Sequence, residues 1–247
     1  MTKRPSQSVA AFRSAPLLYS ALALIILGGL AYATVDRFDR TYNPQGPAHL
    51  TISNINGDIE VSVWDKKSIS VRVTTTPPAA VTDQINGNEF IVWVKRRIPP
   101  GSANFQVFVP ADTSITLNNV MGKIEVNGVA GDLAVDSIDG DIHLLRMRAA
   151  SVDVKVTTGN IFFEGELRDG GSYTMQSVKG NIDVTLPAEA AFDLNARSLT
   201  GTINLGDFIR SLTGGSKLRK GVSGTHLKSG TRLTLTTLSG RVLLHKK

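Results

Sequence analysis

Cysteine is absent from the 247 residues. Its absence excludes a disulfide framework, thiolate metal ligands, a cysteine nucleophile and a lipid-modified N-terminal cysteine, so any membrane anchor must be polypeptide. Acidic residues are missing before Asp36, a stretch that does hold Lys3, Arg4 and Arg13. The 23 glycines follow neither the strict triplet of collagen nor a low-complexity linker. With 41% apolar and 19% charged residues the chain is globular in composition, and that much glycine suits many tight turns.

The formal charge of +6 is unevenly placed. Without the three N-terminal cations the chain holds 24 basic against 21 acidic residues. Residues 207–232 contribute Arg210, Lys217, Arg219, Lys220, Lys228 and Arg232 against Asp207 alone, and the remainder is slightly acidic. One local patch and a leader account for the basic balance, so nucleic acid is not an expected partner.

Residues 1–15 read as a basic n-region and 16–34 as a transmembrane signal-anchor or signal peptide, followed by a linker over 35–47. At about 1.5 Å per residue the uncharged segment comes close to spanning a roughly 30 Å hydrocarbon core. The cations before it keep the N-terminus inside and export everything after it. Ala31-Tyr32-Ala33 has the form of a signal-peptidase site, so cleavage after Ala33 and retention as an anchor both stay open. Either way the expected location is the bacterial cell envelope, with the C-terminal part periplasmic or extracellular, or secreted.

One local pattern recurs around Gly57, Gly122, Gly131, Gly140, Gly159, Gly180, Gly201 and Gly240, as in Asn54-Ile-Asn-Gly-Asp-Ile-Glu-Val61 and Ser177-Val-Lys-Gly-Asn-Ile-Asp-Val184. Of the 24 positions lying two before, two after and four after these glycines, 23 are aliphatic or aromatic, Thr157 being the exception. The residue after each glycine is polar. A glycine that accepts positive φ forms the corner, its polar neighbour faces water, and the next residues alternate as a strand. A second apolar pair lies seven and five before each corner, such as Ile115/Leu117 and Val152/Val154, and Ala150 and Gly171 fall where intermediate corners belong. Two strand-plus-corner units per step of about 20 residues predict an all-β fold, a β-solenoid or β-helix-like stack of short strands. A sandwich of hairpins shares the period-2 strands but rarely repeats one corner at fixed intervals.

Residues 48–114 are strand-rich and less regular. They read as the first rung and an N-terminal β cap, with Trp64 and Trp93 in the cap core. Residues 115–247 read as the solenoid, with an inserted basic loop at 206–230 and a terminal edge strand at 241–245.

With Trp64-Asp65 and Val107-Phe-Val-Pro-Ala111, the glycine-cornered series over 48–247 resembles the bacterial putative-adhesin family of unknown function with β-strand repeats. The resemblance implies an anchored or secreted, non-enzymatic β-solenoid and supplies no catalytic residues.

The residues themselves point to no cofactor, metal or catalytic site. His49, His143, His226 and His245 match no metal-ligand spacing, and Asp139-Gly-Asp141 lacks the longer acidic run and late glutamate of a calcium loop. No nucleophile elbow or phosphate-binding glycine loop is present. The outward residues after the corners form no carboxylate cluster of the kind a polysaccharide-cleaving β-helix uses. The loop at 207–230 is either a flexible solvated insertion or a contact for an anionic partner through Arg210, Lys217, Arg219 and Lys220. The expected function is a structural or interaction module contacting the membrane through residues 16–34 and an envelope protein or glycan. A self-assembling envelope scaffold and a polysaccharide-active enzyme are the alternatives.

Overall fold

Seven glycines standing over one another form one long corner of the molecule. A Cβ placed on Gly122 would stand 2.2 Å from the Gly57 carbonyl oxygen; one on Gly140 would be 2.1 Å from that of Gly122. The series continues through Gly159, Gly180 and Gly240 to Gly201, each pressed against the glycine carbonyl of the rung before. Six of the seven have φ between 118° and 157°. A side chain fails at those six on both counts, conformation and space, and at Gly201 on space.

The computed structural model describes residues 36–95, 101–218, 220–227 and 230–247. The apolar segment at 16–34 lies outside the described residues, and among those described no helix is long and apolar enough to cross a membrane.

The strands are β1 (Asp36–Tyr42), β2 (His49–Asn56), β3 (Ile59–Val63), β4 (Ile69–Thr76), β5 (Val81–Asn86), β6 (Glu89–Val94) and β7 (Ser102–Val109). Four pairs follow: β8 (Ser114–Met121) with β9 (Ile124–Asn127), β10 (Leu133–Asp139) with β11 (Ile142–Met147), β12 (Ser151–Thr158) with β13 (Ile161–Gly165), and β14 (Ser172–Lys179) with β15 (Ile182–Leu186). Then come β16 (Phe192–Ser198), β17 (Ile203–Asn204), a 3-10 turn (Gly206–Arg210), β18 (Lys217–Leu218), β19 (Gly221–His226), β20 (Arg232–Ser239) and β21 (Val242–Lys246).

Each rung places its first strand in one sheet and its second in the other. The two sheets run β1-β4-β7-β3-β9-β11-β13-β15-β21-β17 and β18-β19-β16-β20-β14-β12-β10-β8-β2-β6-β5. Within the stack all neighbours are parallel, and they keep register, as in Leu133↔Ile115 and Leu133↔Val152, except for one shift between β11 and β13 after Leu144. This is the expected solenoid.

Rung order departs from chain order at both ends. β20 and β21 lie between the β14/β15 rung and the β16/β17 rung. At the other end β6 and β7 stack outside β2 and β3. The first and last rungs of the described chain are thus both interior, the first covered by the later β6/β7 rung and the last by the earlier β16/β17 rung. Strand 241–245 is therefore not the edge the sequence suggested. Three of the four outer positions are closed by antiparallel strands, β1 and β4 on one sheet and β5 and then β19 with β18 on the other, while the first sheet ends at the two-residue β17, parallel to β21. Such closure blunts edges that would otherwise pair with other chains.

The interior is filled by aliphatic columns with one residue per rung. Leu50, Ile115, Leu133, Val152, Tyr173, Leu233 and Leu194 form one, and Ile59, Ile124, Ile142, Ile161, Ile182 and Val242 face them from the other sheet, all buried. Each fully buried side chain of this type contributes about 1.5–3 kcal/mol. The Tyr173 hydroxyl donates to Ala149 O at 2.5 Å and accepts from the Arg168 amide at 2.8 Å, so its burial leaves no polar group stranded.

Candidate functional site

The corner residues have structural duties that explain their chemistry. Three residues before five of the seven glycines a small polar side chain points inward and bonds a glycine carbonyl; the exceptions are Ser137, whose hydroxyl finds no partner, and the apolar Val156. Asn119 Nδ2 donates to Gly57 O (3.1 Å), Ser177 Oγ to Gly159 O (3.0 Å), Thr237 Oγ1 to Gly180 O (2.9 Å) and Ser198 Oγ to Gly240 O (2.8 Å). Directly after the glycine, Asp and Asn side chains link rungs. Asp58 Oδ1 accepts from the Lys123 amide, Asp141 Oδ1 from Asn160, Asn160 Oδ1 from Asn181, and Asn181 Oδ1 from Arg241, all at 2.8–2.9 Å. The polar slot is a side-chain ladder as well as a solvated turn. Gly131 does not belong to this corner. It lies on the opposite one, where a Cβ would meet Thr113 O at 2.3 Å, in the series with Ala150 and Gly171.

The basic segment is folded wherever it is described. Phe208 of the 3-10 turn is fully buried against Phe192 (5.3 Å between centroids) and His226 (4.9 Å), and His226 Nδ1 lies 2.8 Å from Ala190 O. Among the four cations singled out by sequence, Arg210 is exposed at the end of the 3-10 turn and Lys217 begins β18. Arg219 lies outside the described residues. Lys220 is exposed in the turn before β19 and, with Arg197 of β16, lines the mouth of a surface groove. Lys220 thus shares a groove with Arg197, a residue that the sequence did not single out.

That groove follows from the residue two before each corner glycine. Strand alternation carries positions minus seven, minus five and minus three inward, so position minus two points out. Ile55 (36% exposed), Val120 (40%), Ile138 (55%), Val178 (41%), Leu238 (46%) and Leu199 (48%) form one exterior column, with Thr157 at its middle rung. Apolar side chains in water at every rung but one are not what solenoid packing requires. Beside the column runs a groove of about 610 Å³ whose walls include Val156, Val178, Leu238, Leu199, Lys155, Arg197 and Lys220. A second hollow of about 340 Å³ continues past Thr157 along Ile138 and Val120. The sequence did carry the signal. Asn, Ser or Thr at minus three takes the inward place, which forces its apolar neighbour out.

The remaining titratable groups are dispersed. Among the described residues no group of three or more His, Cys, Asp or Glu is placed to hold a metal ion. His143 faces outward beside Phe162 (4.6 Å), and partial burial, with the Lys123 charge, holds its pKa below the ordinary value. Tyr42 is pushed well above the usual tyrosine range by burial and by the Asp83 carboxylate its hydroxyl meets at 3.0 Å. Trp64 stacks on Phe108 at 5.4 Å and donates to Ser68 O at 2.7 Å, and both it and Trp93 are half-buried.

The Toastrack DUF4097 family model matches residues 116–245. No curated protein matches the chain. Among solved structures, a protein of Clostridium sporogenes named a "putative cell adhesion protein" is 10% identical over 87% of this chain and 100% of its own, with a TM-score of 0.56. A "putative adhesin" of Bacteroides fragilis is 11% identical over 86% of this chain and 97% of its own, with a TM-score of 0.42. The first of these shares the fold.

Proposed function

This chain belongs to the Toastrack DUF4097 family, and we propose that it is a non-enzymatic, envelope-exposed β-repeat module that holds a partner against its exterior apolar column, an adhesin-like role. The observation that carries this reading is the column itself: six exposed aliphatic side chains aligned on rigid, in-register rungs and bordered by a groove of about 610 Å³. Interaction surfaces are set apart by just such contiguous apolar exposure. The groove walls favour binding over catalysis, since Asp136 is the sole carboxylate among the described residues that line it, leaving no paired acid and base. The exported location rests on the basic n-region and the apolar segment at 16–34. The names of the solved neighbours are consistent with adhesion.

The test is retention from detergent-solubilised envelope by the immobilised protein. Val178→Glu with Leu238→Glu should abolish retention of the bound species while unfolding stays within about 0.5 kcal/mol of the parent, as for exposed sites generally. Equal retention by parent and variant would refute the reading.

A further inference from the structure

The exterior column has seven places, and Thr157 is the fourth from either end. A two-fold axis passing through Thr157, perpendicular to the column, would lay the column of one molecule antiparallel on that of another. Ile138 then meets Val178, Val120 meets Leu238, and Ile55 meets Leu199, apolar on apolar at every rung but the central one, where Thr157 meets Thr157. We infer that the partner on this face is a second copy of the chain, paired in this antiparallel way, an inference that rests on the column being the binding face.

Flanking charges select the orientation. Asp139, one place nearer the corner, and Asp136, two places further from it, are both exposed on the third rung, and Lys179 is exposed on the fifth. The perpendicular two-fold reverses rung order and keeps each flank over itself, so Asp139 faces Lys179 twice per dimer. A two-fold along the column would exchange the flanks at constant rung and set Asp139 against Asp136, like charge on like. The antiparallel arrangement does bring the two Lys155 side chains together, but each is already paired with its own Asp153 at 2.8 Å. A closed two-fold contact of this kind uses one self-complementary patch. The column is about 29 Å long at ~4.8 Å per rung and narrow, which places the contact in the small, transient class.

The absence of cysteine makes the test clean. In the full-length chain in its native envelope, Thr157→Cys lies on the axis and should oxidise to a covalent dimer. Leu199→Cys should not, its two copies being about 29 Å apart. The expected dimer yield from Thr157→Cys exceeds that from Leu199→Cys by at least about tenfold, the gain of a fixed encounter over random collision. Molecules carrying Ile55→Cys should cross-link to molecules carrying Leu199→Cys. Asp139→Lys should depress the Thr157→Cys dimer, and adding Lys179→Asp should restore it. Equal self-linking at positions 157 and 199 would indicate parallel pairing and overturn the inference, as would no linking at either. If linking fails while Val178→Glu with Leu238→Glu still releases an envelope species, the face binds another molecule and only the self-pairing falls. Failure of both removes the binding face as well.

Discussion

Gly240 stands directly on Gly180. A Cβ on Gly240 would lie 2.0 Å from the Gly180 carbonyl oxygen, and the Gly180 amide donates to Ser239 O at 3.0 Å. The two belong to strand pairs separated in sequence by another rung and by a folded excursion, yet they are stacked neighbours. Gly240→Ala must move backbone and also strain φ, so it should cost roughly 3 kcal/mol and lower Tm by roughly 10 °C. Gly170→Ala, at a φ of 71° with nothing within 4 Å of the new carbon, should cost only about 1 kcal/mol. Thermal unfolding of the two variants measures the difference. Equal losses would mean that the close approach carries no weight.

Val156 interrupts the ladder of inward polar side chains. Its counterparts on the next rungs, Ser177 and Thr237, each donate to the glycine carbonyl of the preceding rung, whereas Val156 offers Gly140 no donor. Burying a hydroxyl in place of a methyl normally destabilises by about 1–3 kcal/mol. Here Val156→Thr gains the missing bond, and a net stabilisation of about 1 kcal/mol is expected from denaturant unfolding. A loss of stability would show that the ladder geometry fails at this rung.

Stability should also depend on His143. Partial burial first, and the Lys123 charge second, disfavour its imidazolium, so its folded pKa lies below the ordinary 6.5. Between those two values the unfolded chain binds more protons than the folded one. Stability is therefore complete above about 6.5 and declines as pH falls through the window beneath it. His143→Gln should flatten that decline. An unchanged profile in chemical unfolding from pH 7.5 to 5 would remove His143 as its cause.

The solenoid was legible because Gly57, Gly122 and their successors repeat a corner that only glycine can occupy. Placing Gly131 among them failed because both corners of a rung tolerate glycine, and local sequence does not distinguish one from the other. The exterior column was hidden within the same count that revealed the strands: Val178 and Ile182 are both apolar and two places from Gly180, but the polar Ser177 holds the inward position and turns Val178 to water. Rung order was out of reach for a different reason. Each strand pair offers nearly the same aliphatic face to either neighbour, so the interval from Gly201 to Gly240 announces an excursion without saying on which rung the chain lands. The excursion looked solvated from its lysines and glycines. Its fold rests on Phe208 and His226, two residues that a composition-based reading passes over.

The interleaved stack is the claim on which the exterior column depends, since moving β20 would break the alignment of Leu238 with Val178 and Leu199. Cysteine pairs on the outward ladder test it directly. Gln176 is in register with Thr236, and Thr236 in turn with Arg197. Adjacent rungs place α-carbons about 4.8 Å apart, within disulfide reach, whereas alternate rungs are about 9.6 Å apart and beyond it. Oxidation should therefore close an intrachain bridge in Gln176→Cys/Thr236→Cys and none in Gln176→Cys/Arg197→Cys. A bridge in the second pair with none in the first would mean that the rungs stack in chain order, contradicting the account.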